Sequence, residues 1–197
     1  MIASLRSRLA HDTRGAAAIE FALCAPLLLI GMMGVFDLGH NMYSASIIQG
    51  AVQKAARDST IEGAEGREAE LDARVTRMVR EIAPGATLEF HRTAYASFDD
   101  VGTPEDWNDV NGDGACNDGE PFEDANRNGS WDANRGKTGF GGARDAVLYE
   151  VDVTYTRVFP VSKILGQSPE FSTTARTVLR NQPYGMQDMS NATGNCA

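Results

Sequence analysis

The sequence predicts an α+β protein. A long N-terminal transmembrane helix extends into a small head with a second helix and a three- to four-stranded antiparallel sheet, and the head carries a long acidic insert. Three observations predict this. Residues Ala16 to Phe36 form a 21-residue apolar run with one charge, Glu20. The run continues without a break signal into a segment whose apolar positions recur every three or four residues. Beyond it, one charged segment has a helical stripe and three segments are rich in β-formers, the clearest of them alternating.

The chain has 197 residues, a net charge of −9 and a mean hydropathy of −0.30. These averages describe an ordinary soluble domain and conceal the distribution. The acidic balance excludes broad nucleic-acid binding, which needs a basic surface for phosphates. Three cysteines without a CxxC pair exclude a zinc ribbon and a disulfide-dense scaffold.

The apolar run spans about 31 Å as a helix, enough to cross a hydrocarbon core. Pro26 removes one backbone hydrogen bond, which membrane helices tolerate. Arg6, Arg8 and Arg14 against one acid, Asp12, precede the run, and acids follow it. The positive-inside rule places this basic leader, residues 1–15, in the cytoplasm and the C-terminal region across the membrane. A cleaved signal peptide has a shorter apolar core, roughly 7–15 residues, followed by a small-x-small site. No such site follows here. Instead Leu38, Met42, Ala45, Ile48, Val52 and Ala55/Ala56 mark one face of a helix continuing to about residue 60.

The start of the run reads Arg14-Gly15-Ala16-Ala17-Ala18-Ile19-Glu20-Phe21. A basic leader ending in glycine, then small or apolar residues, a glutamate and an aromatic, resembles the prepilin peptidase site of type IV pilins and pseudopilins. A Glu one turn inside an apolar segment is costly unless paired and marks a function. Cleavage after Gly15 frees the Ala16 ammonium, which Glu20 of a neighbouring subunit is placed to neutralise. The alternative is that Glu20 only snorkels to the cytoplasmic interface. The whole stretch to Thr60, with Pro26, the Asp37-Leu38-Gly39 exit and the Ala51–Arg57 segment, resembles TadE-like pseudopilins. Val158-Phe159-Pro160, Ile164-Leu165-Gly166 and Arg180-Asn181-Gln182-Pro183-Tyr184 also resemble the way these proteins end.

The head occupies 61–97 and 138–185. Glu65 to Ile82 reads as an amphipathic helix with the stripe Leu71, Val75, Met78, Val79 and Ile82, stopped by Pro84-Gly85. Thr87–Tyr95, Val147–Tyr155 and Phe171–Leu179 read as strands. The polar residues 186–197 read as a flexible tail.

The insert spans 98–137. Phe98 to Asn134 alone holds 11 acids against one base, Arg127. Within it, Asp109, Asn111, Asp113, Asn117 and Glu120 fall at the first, third, fifth, ninth and twelfth positions of an EF-hand-like loop. Gly114 falls at the sixth position, and Ala115 offers its carbonyl at the seventh. Calcium takes hard oxygen ligands, the glycine permits the sharp reversal, and the final Glu binds through both oxygens. This register predicts Ca2+ binding and makes the segment a calcium-loop insert. A second copy places Asp124, Asn126, Asn128, Ser130 and Asp132 in the same register. Its twelfth position is Arg135, so it is either incomplete or borrows Glu123 or Glu120. The flanking helices of a full EF-hand are not evident, and a solvated acidic loop is the competing reading of the composition. Trp107 and Trp131 are expected to supply the small apolar centre of the insert.

Cys24 reads as an apolar filler in the run. Cys116 and Cys196 face an oxidising compartment in this topology, and a disulfide between them is the expectation, pinning the tail to the insert. His11, His40 and His91 have no partner at metal-ligand spacing, and no motif for nucleophilic, metal-dependent or phosphate chemistry is present, so no enzyme is expected. The resemblance implies a minor pseudopilin in the assembly of a Tad (tight adherence) type IV pilus for surface attachment. It implies the prepilin peptidase, other pilins or pseudopilins and the inner-membrane assembly platform as partners, besides membrane lipid. The implied location is the bacterial inner membrane as a single-pass protein with a periplasmic head, with incorporation into a cell-surface pilus left open. The alternative is a membrane-anchored cell-surface calcium-binding or adhesive module unrelated to pili.

Overall fold

A computed structural model describes residues 15–59, 67–181 and 192–197. In chain order the elements are α1 (Ala16–Ser59), α2 (Glu68–Ile82), β1 (Thr87–Tyr95), β2 (Pro121–Asp124), β3 (Lys137–Thr138), β4 (Ala146–Thr156), α3 (Val161–Ile164), β5 (Glu170–Arg180) and β6 (Ala192–Asn195). The expected α+β class is observed. The leader up to Arg14, the segment 60–66 and residues 182–191 lie outside the described residues, and with them part of the expected second helix and tail. The chain divides into two compact units, Met1–Tyr43 with Arg157–Phe171, and Ser44–Thr156 with Ser172–Ala197.

In the first unit α1 is apolar on all sides. Ile19, Phe21, Leu23, Leu27, Leu28, Leu29, Val35 and Phe36 are all exposed. Pro26 sits inside the helix without ending it. Just past the run the expected stripe is corrected. Leu38 and Met42 are exposed, whereas Asp37 and Asn41 are buried. The reason is a specific pair: the Arg157 guanidinium donates to Asp37 Oδ2 at 2.5 Å, and Asn41 Nδ2 donates to the same oxygen at 3.2 Å. Arg157 also lies over the Phe171 ring, 5.0 Å from its centroid. A charge removed from water needs such compensation, and here it turns the polar face of the helix inward.

In the second unit the end of α1 buries Ile48, Ala51, Val52, Ala55 and Ala56, as the spacing predicts for this half. Gln49 Nε2 donates to the Arg176 carbonyl of β5 at 2.9 Å. The four-stranded sheet has the order β3-β1-β4-β5. Its central strand β4 alternates, with Val147, Tyr149, Val151, Val153 and Tyr155 buried. It pairs antiparallel with β1 along the whole of that strand, from Thr87 opposite Thr154 to Tyr95 opposite Ala146. Leu71, Val75 and Val79 are the buried stripe of α2. Each fully buried Val or Ile contributes on the order of 1.5–3 kcal/mol. The alternation in β4 is therefore what fixes the register, since a slip of one residue would expose all five side chains.

A polar network ties α2 to the sheet. Asp72 accepts hydrogen bonds from Arg92 on β1 and from the Tyr149 hydroxyl on β4, the latter at 3.1 Å. The Arg92 guanidinium lies between the Phe140 and Tyr149 rings, 5.0 and 4.5 Å from their centroids. Burial, reinforced by the Asp72 charge, pushes the Tyr149 phenol well above its usual range, so it remains a donor at any physiological pH. Replacing Asp72 by Ala leaves a largely buried guanidinium and a phenol without their acceptor. The expected loss is about 2–4 kcal/mol in denaturant unfolding of the full chain in detergent, against about 1 kcal/mol for Tyr149→Phe. Equal losses for the two variants would deny Asp72 this role.

Candidate functional site

The acidic insert is ordered, and a second sheet frames it. β2 and β6 pair antiparallel, with Pro121 opposite Asn195 and Phe122 opposite Gly194. The flexible-tail expectation is thereby corrected over Ala192–Asn195, which form a strand against the insert. Phe122, 2% exposed, fills the apolar centre expected of the two tryptophans. A Cβ on Gly194 would stand 2.3 Å from the Phe122 ring, so only glycine lets the ring close on β6. A disulfide joins Cys116 to Cys196, whose Cα atoms are 5.3 Å apart. Beside it the Cys196 N–H donates to the Glu120 carbonyl at 2.8 Å.

The first predicted loop winds around its own carboxylates. Asp109 accepts the N–H groups of Gly112 and Gly114 at 2.5 and 3.0 Å. Asn111 Oδ1 accepts the Asp113 N–H, and Asp113 Oδ1 accepts the Ala115 N–H, both at 2.8 Å. Glu120 is 4% exposed. Its Oε1 accepts the N–H groups of Val110 and Asn111 at 2.7 and 3.2 Å, and its Oε2 faces the Asn117 N–H at 3.5 Å. The side-chain amide of Asn117 and the Ala115 N–H hold the Asp113 carboxyl below its usual range, so it stays ionised in mild acid.

The second loop repeats most of this pattern, except that its first aspartate accepts the N–H of the fifth position where Asp109 accepts that of the fourth. Asp124 accepts the N–H groups of Asn128 and Gly129 at 3.0 and 2.9 Å. Asn126 Oδ1 accepts the Asn128 N–H, and Asn128 Oδ1 accepts the Ser130 N–H. Positive φ recurs at the fourth and sixth positions, Gly112 and Gly114 in one loop, Arg127 and Gly129 in the other. The closing carboxylate comes from upstream. Glu105, 1% exposed, accepts the N–H groups of Ala125 and Asn126 at 2.8 and 3.4 Å through Oε1, and that of Asp132 at 3.0 Å through Oε2. These are the same second, third and ninth positions that Glu120 closes in the first loop. Glu105, a residue that the sequence does not single out, thus holds in the second loop the N–H positions that Glu120 holds in the first. Spacing within the loop could not reveal it, because it precedes the loop in sequence and reaches it through the pairing of Glu105 N–H with the Asp132 carbonyl at 2.9 Å.

Arg135, which stands at the twelfth position of the second copy, serves a different purpose. Its guanidinium binds Asp100 at 3.0 Å and Asp106 at 2.7 Å, and approaches Glu123 at 3.6 Å. Burial opposes the charge, but the two aspartates outweigh it and raise the Arg135 pKa. Trp131, half-buried, donates its indole N–H to the Glu105 carbonyl at 2.9 Å.

As a test for a cation, the donors are all hard oxygens in the correct order on one loop, which fits calcium in chemistry. Among the described residues, no three His, Cys, Asp or Glu side chains converge as a ready metal cage. The carboxylates instead hold backbone N–H groups, and the Asn111 and Asn117 amides both donate to Asp113 Oδ2.

The predicted processing residues belong to the first unit. Gly15, Ala16, Glu20 and Phe21 are all exposed at the start of α1. That helix is long and apolar enough to cross a membrane, and none of its most apolar window is buried within the chain. Fold and helix together describe an α+β head with one candidate membrane span among the described residues. The family model described as TadE-like protein matches residues 15–57, close to the full extent of α1. No curated protein and no solved structure matches the chain at a significant level.

Glu105→Ala removes the acceptor of three backbone N–H groups at once. Hydrogen exchange of residues 124–132 is expected to accelerate by about 10-fold or more, on the order of 1–3 kcal/mol of local stability, with residues 109–117 much less affected. Equal acceleration in both loops would mean that the loops do not close independently.

Proposed function

We propose that this chain is a minor pseudopilin of the TadE type, a structural component in the assembly of a Tad-type pilus for surface attachment. The match of a TadE-like family over residues 15–57 carries this reading. It coincides with the Arg14-Gly15/Glu20-Phe21 pattern and an apolar helix exposed on all sides. In this role a prepilin peptidase cleaves after Gly15, and the protein sits in the inner membrane with its head in the periplasm. Glu20 then neutralises the new N-terminus of a neighbouring pilin or pseudopilin, a pairing that a carboxylate inside a lipid-facing helix requires. The remaining partners are the assembly platform and the lipid itself, and no catalysis is involved. Sequencing the mature protein should start at Ala16, and Glu20→Ala should abolish or strongly reduce pilus assembly while membrane insertion persists. A mature chain that retains Met1, or one cut beyond Phe36, overturns the reading.

We further propose that the insert binds Ca2+. Asp109, Asn111, Asp113, Asn117, Glu120 and the Ala115 carbonyl serve the first loop. Asp124, Asn126, Asn128, Asp132 and the Ser130 carbonyl serve the second. The repetition of one backbone pattern in two loops of matching ligand order supports this. Binding would draw the carboxylates off their N–H partners and offset the charge concentrated in the insert. Affinity in the range of extracellular modules, roughly 0.1–1 mM, suits such a site. Calorimetric titration of the full chain with calcium should give heat that is reduced in Asp109→Ala/Glu120→Ala. Unchanged binding in that variant removes the assignment of the first loop. Calcium binding with the N-terminus left unprocessed would favour the second reading, an anchored surface calcium-binding or adhesive module.

A further inference from the structure

The segment Arg157–Phe171 leaves the sheet and returns to it, and it belongs to the same unit as the first 43 residues. Its sequence Val158-Phe159-Pro160-Val161-Ser162-Lys163-Ile164-Leu165-Gly166 forms the short helix α3 with its flanks. Val161 and Ser162 are buried, while Val158, Ile164 and Leu165 are 61%, 55% and 62% exposed. Three large aliphatic side chains are thus exposed within eight residues of sequence, beside the end of the apolar run. The segment is fixed to α1 at a known level. The Phe159 ring stacks on Phe36 with centroids 6.2 Å apart, and Arg157 binds Asp37. Phe36 is the last residue of the apolar run, and Asp37 is the first charge beyond it. Since one helical turn rises about 5.4 Å, Phe159 lies within roughly a turn of the end of that run.

We propose that residues 158–165 form an interfacial membrane wedge, with Val158, Ile164 and Leu165 inserted at the boundary between headgroups and acyl chains beside the end of the span. The inference rests on α1 being the membrane span, and continuity with that span selects lipid as the occupant. The polar groups agree with it. Arg157 neutralises Asp37 where a bare carboxylate would face low dielectric, and Lys163, exposed in the same short segment, is placed to reach anionic headgroups. Gly166, at φ 71°, turns the chain out of the short helix.

The test uses the full chain in phosphatidylethanolamine–phosphatidylglycerol vesicles. Single cysteines at Val158, Leu165, Leu28 and Ala133 in a Cys24→Ala background carry an NBD fluorophore, and the native disulfide stays oxidised. With a nitroxide placed near the lipid ester linkage, labels at 158 and 165 should lose roughly half of their emission, as interfacial insertion to about 5–10 Å requires. The label at Ala133, in the insert, should be unaffected. A label at Leu28 should be quenched by a nitroxide deep in the acyl chain. Quenching at Leu28 with none at 158 and 165 overturns the wedge and leaves the anchor standing. Blue-shifted emission at 165 without lipid quenching overturns it in favour of a protein partner. Absence of quenching at Leu28 overturns the anchor and the wedge with it.

Discussion

One helix must satisfy two environments, and the rest of the architecture follows from that requirement. Over its first 20 residues α1 is largely exposed, so its backbone polar groups must be satisfied within the helix and its side chains must suit lipid. Past Asp37 the same helix buries one stripe only, in which Ile48, Val52, Ala55 and Ala56 are almost fully covered. A helix of 44 residues without a breaker apart from Pro26 carries both patterns. The change of environment is marked chemically by Asp37, the first charge after the run, and its neutralisation by Arg157 fixes the chain at that level.

The insert solves a separate problem. Its charge should drive it apart, yet its two most buried carboxylates, Glu105 and Glu120, are fully used as acceptors for backbone N–H groups. A carboxylate that accepts several N–H bonds is stabilised in its ionised form, and the loop around it is fixed. Arg135 draws together the surrounding acids, and the Cys116–Cys196 bond closes the edge formed by β2 and β6. The insert is therefore preorganised: the two loops already have their turns, and the proposed calcium would exchange N–H partners for a cation without building the loops anew.

Legibility from sequence followed the range of the interactions. The three strands predicted from β-forming residues and alternation are all present, with ends shifted by one residue at most. Leu38 and Met42 were misplaced because apolar spacing does not know of Arg157, more than a hundred residues away, whose pairing turns Asp37 and Asn41 inward. β6 was read as a tail because its value as a strand lies in what β2 offers it, including room for Phe122 over Gly194. Glu105 carried no local signal, since it lies outside the loop that it closes.

The sequence by itself determined the α+β class, the membrane-length helix with its charged boundary, the central strand β4 and the order of oxygen-bearing side chains in the two loops. These depend on periodicity and on residue chemistry within a short window. Only the tertiary structure decided which face of α1 turns inward after the run, that Glu105 closes the second loop, and that the last residues complete the insert. In each of those cases a side chain's role is set by a partner distant in sequence, and burial of a polar group becomes tolerable only where that partner is brought within hydrogen-bonding distance.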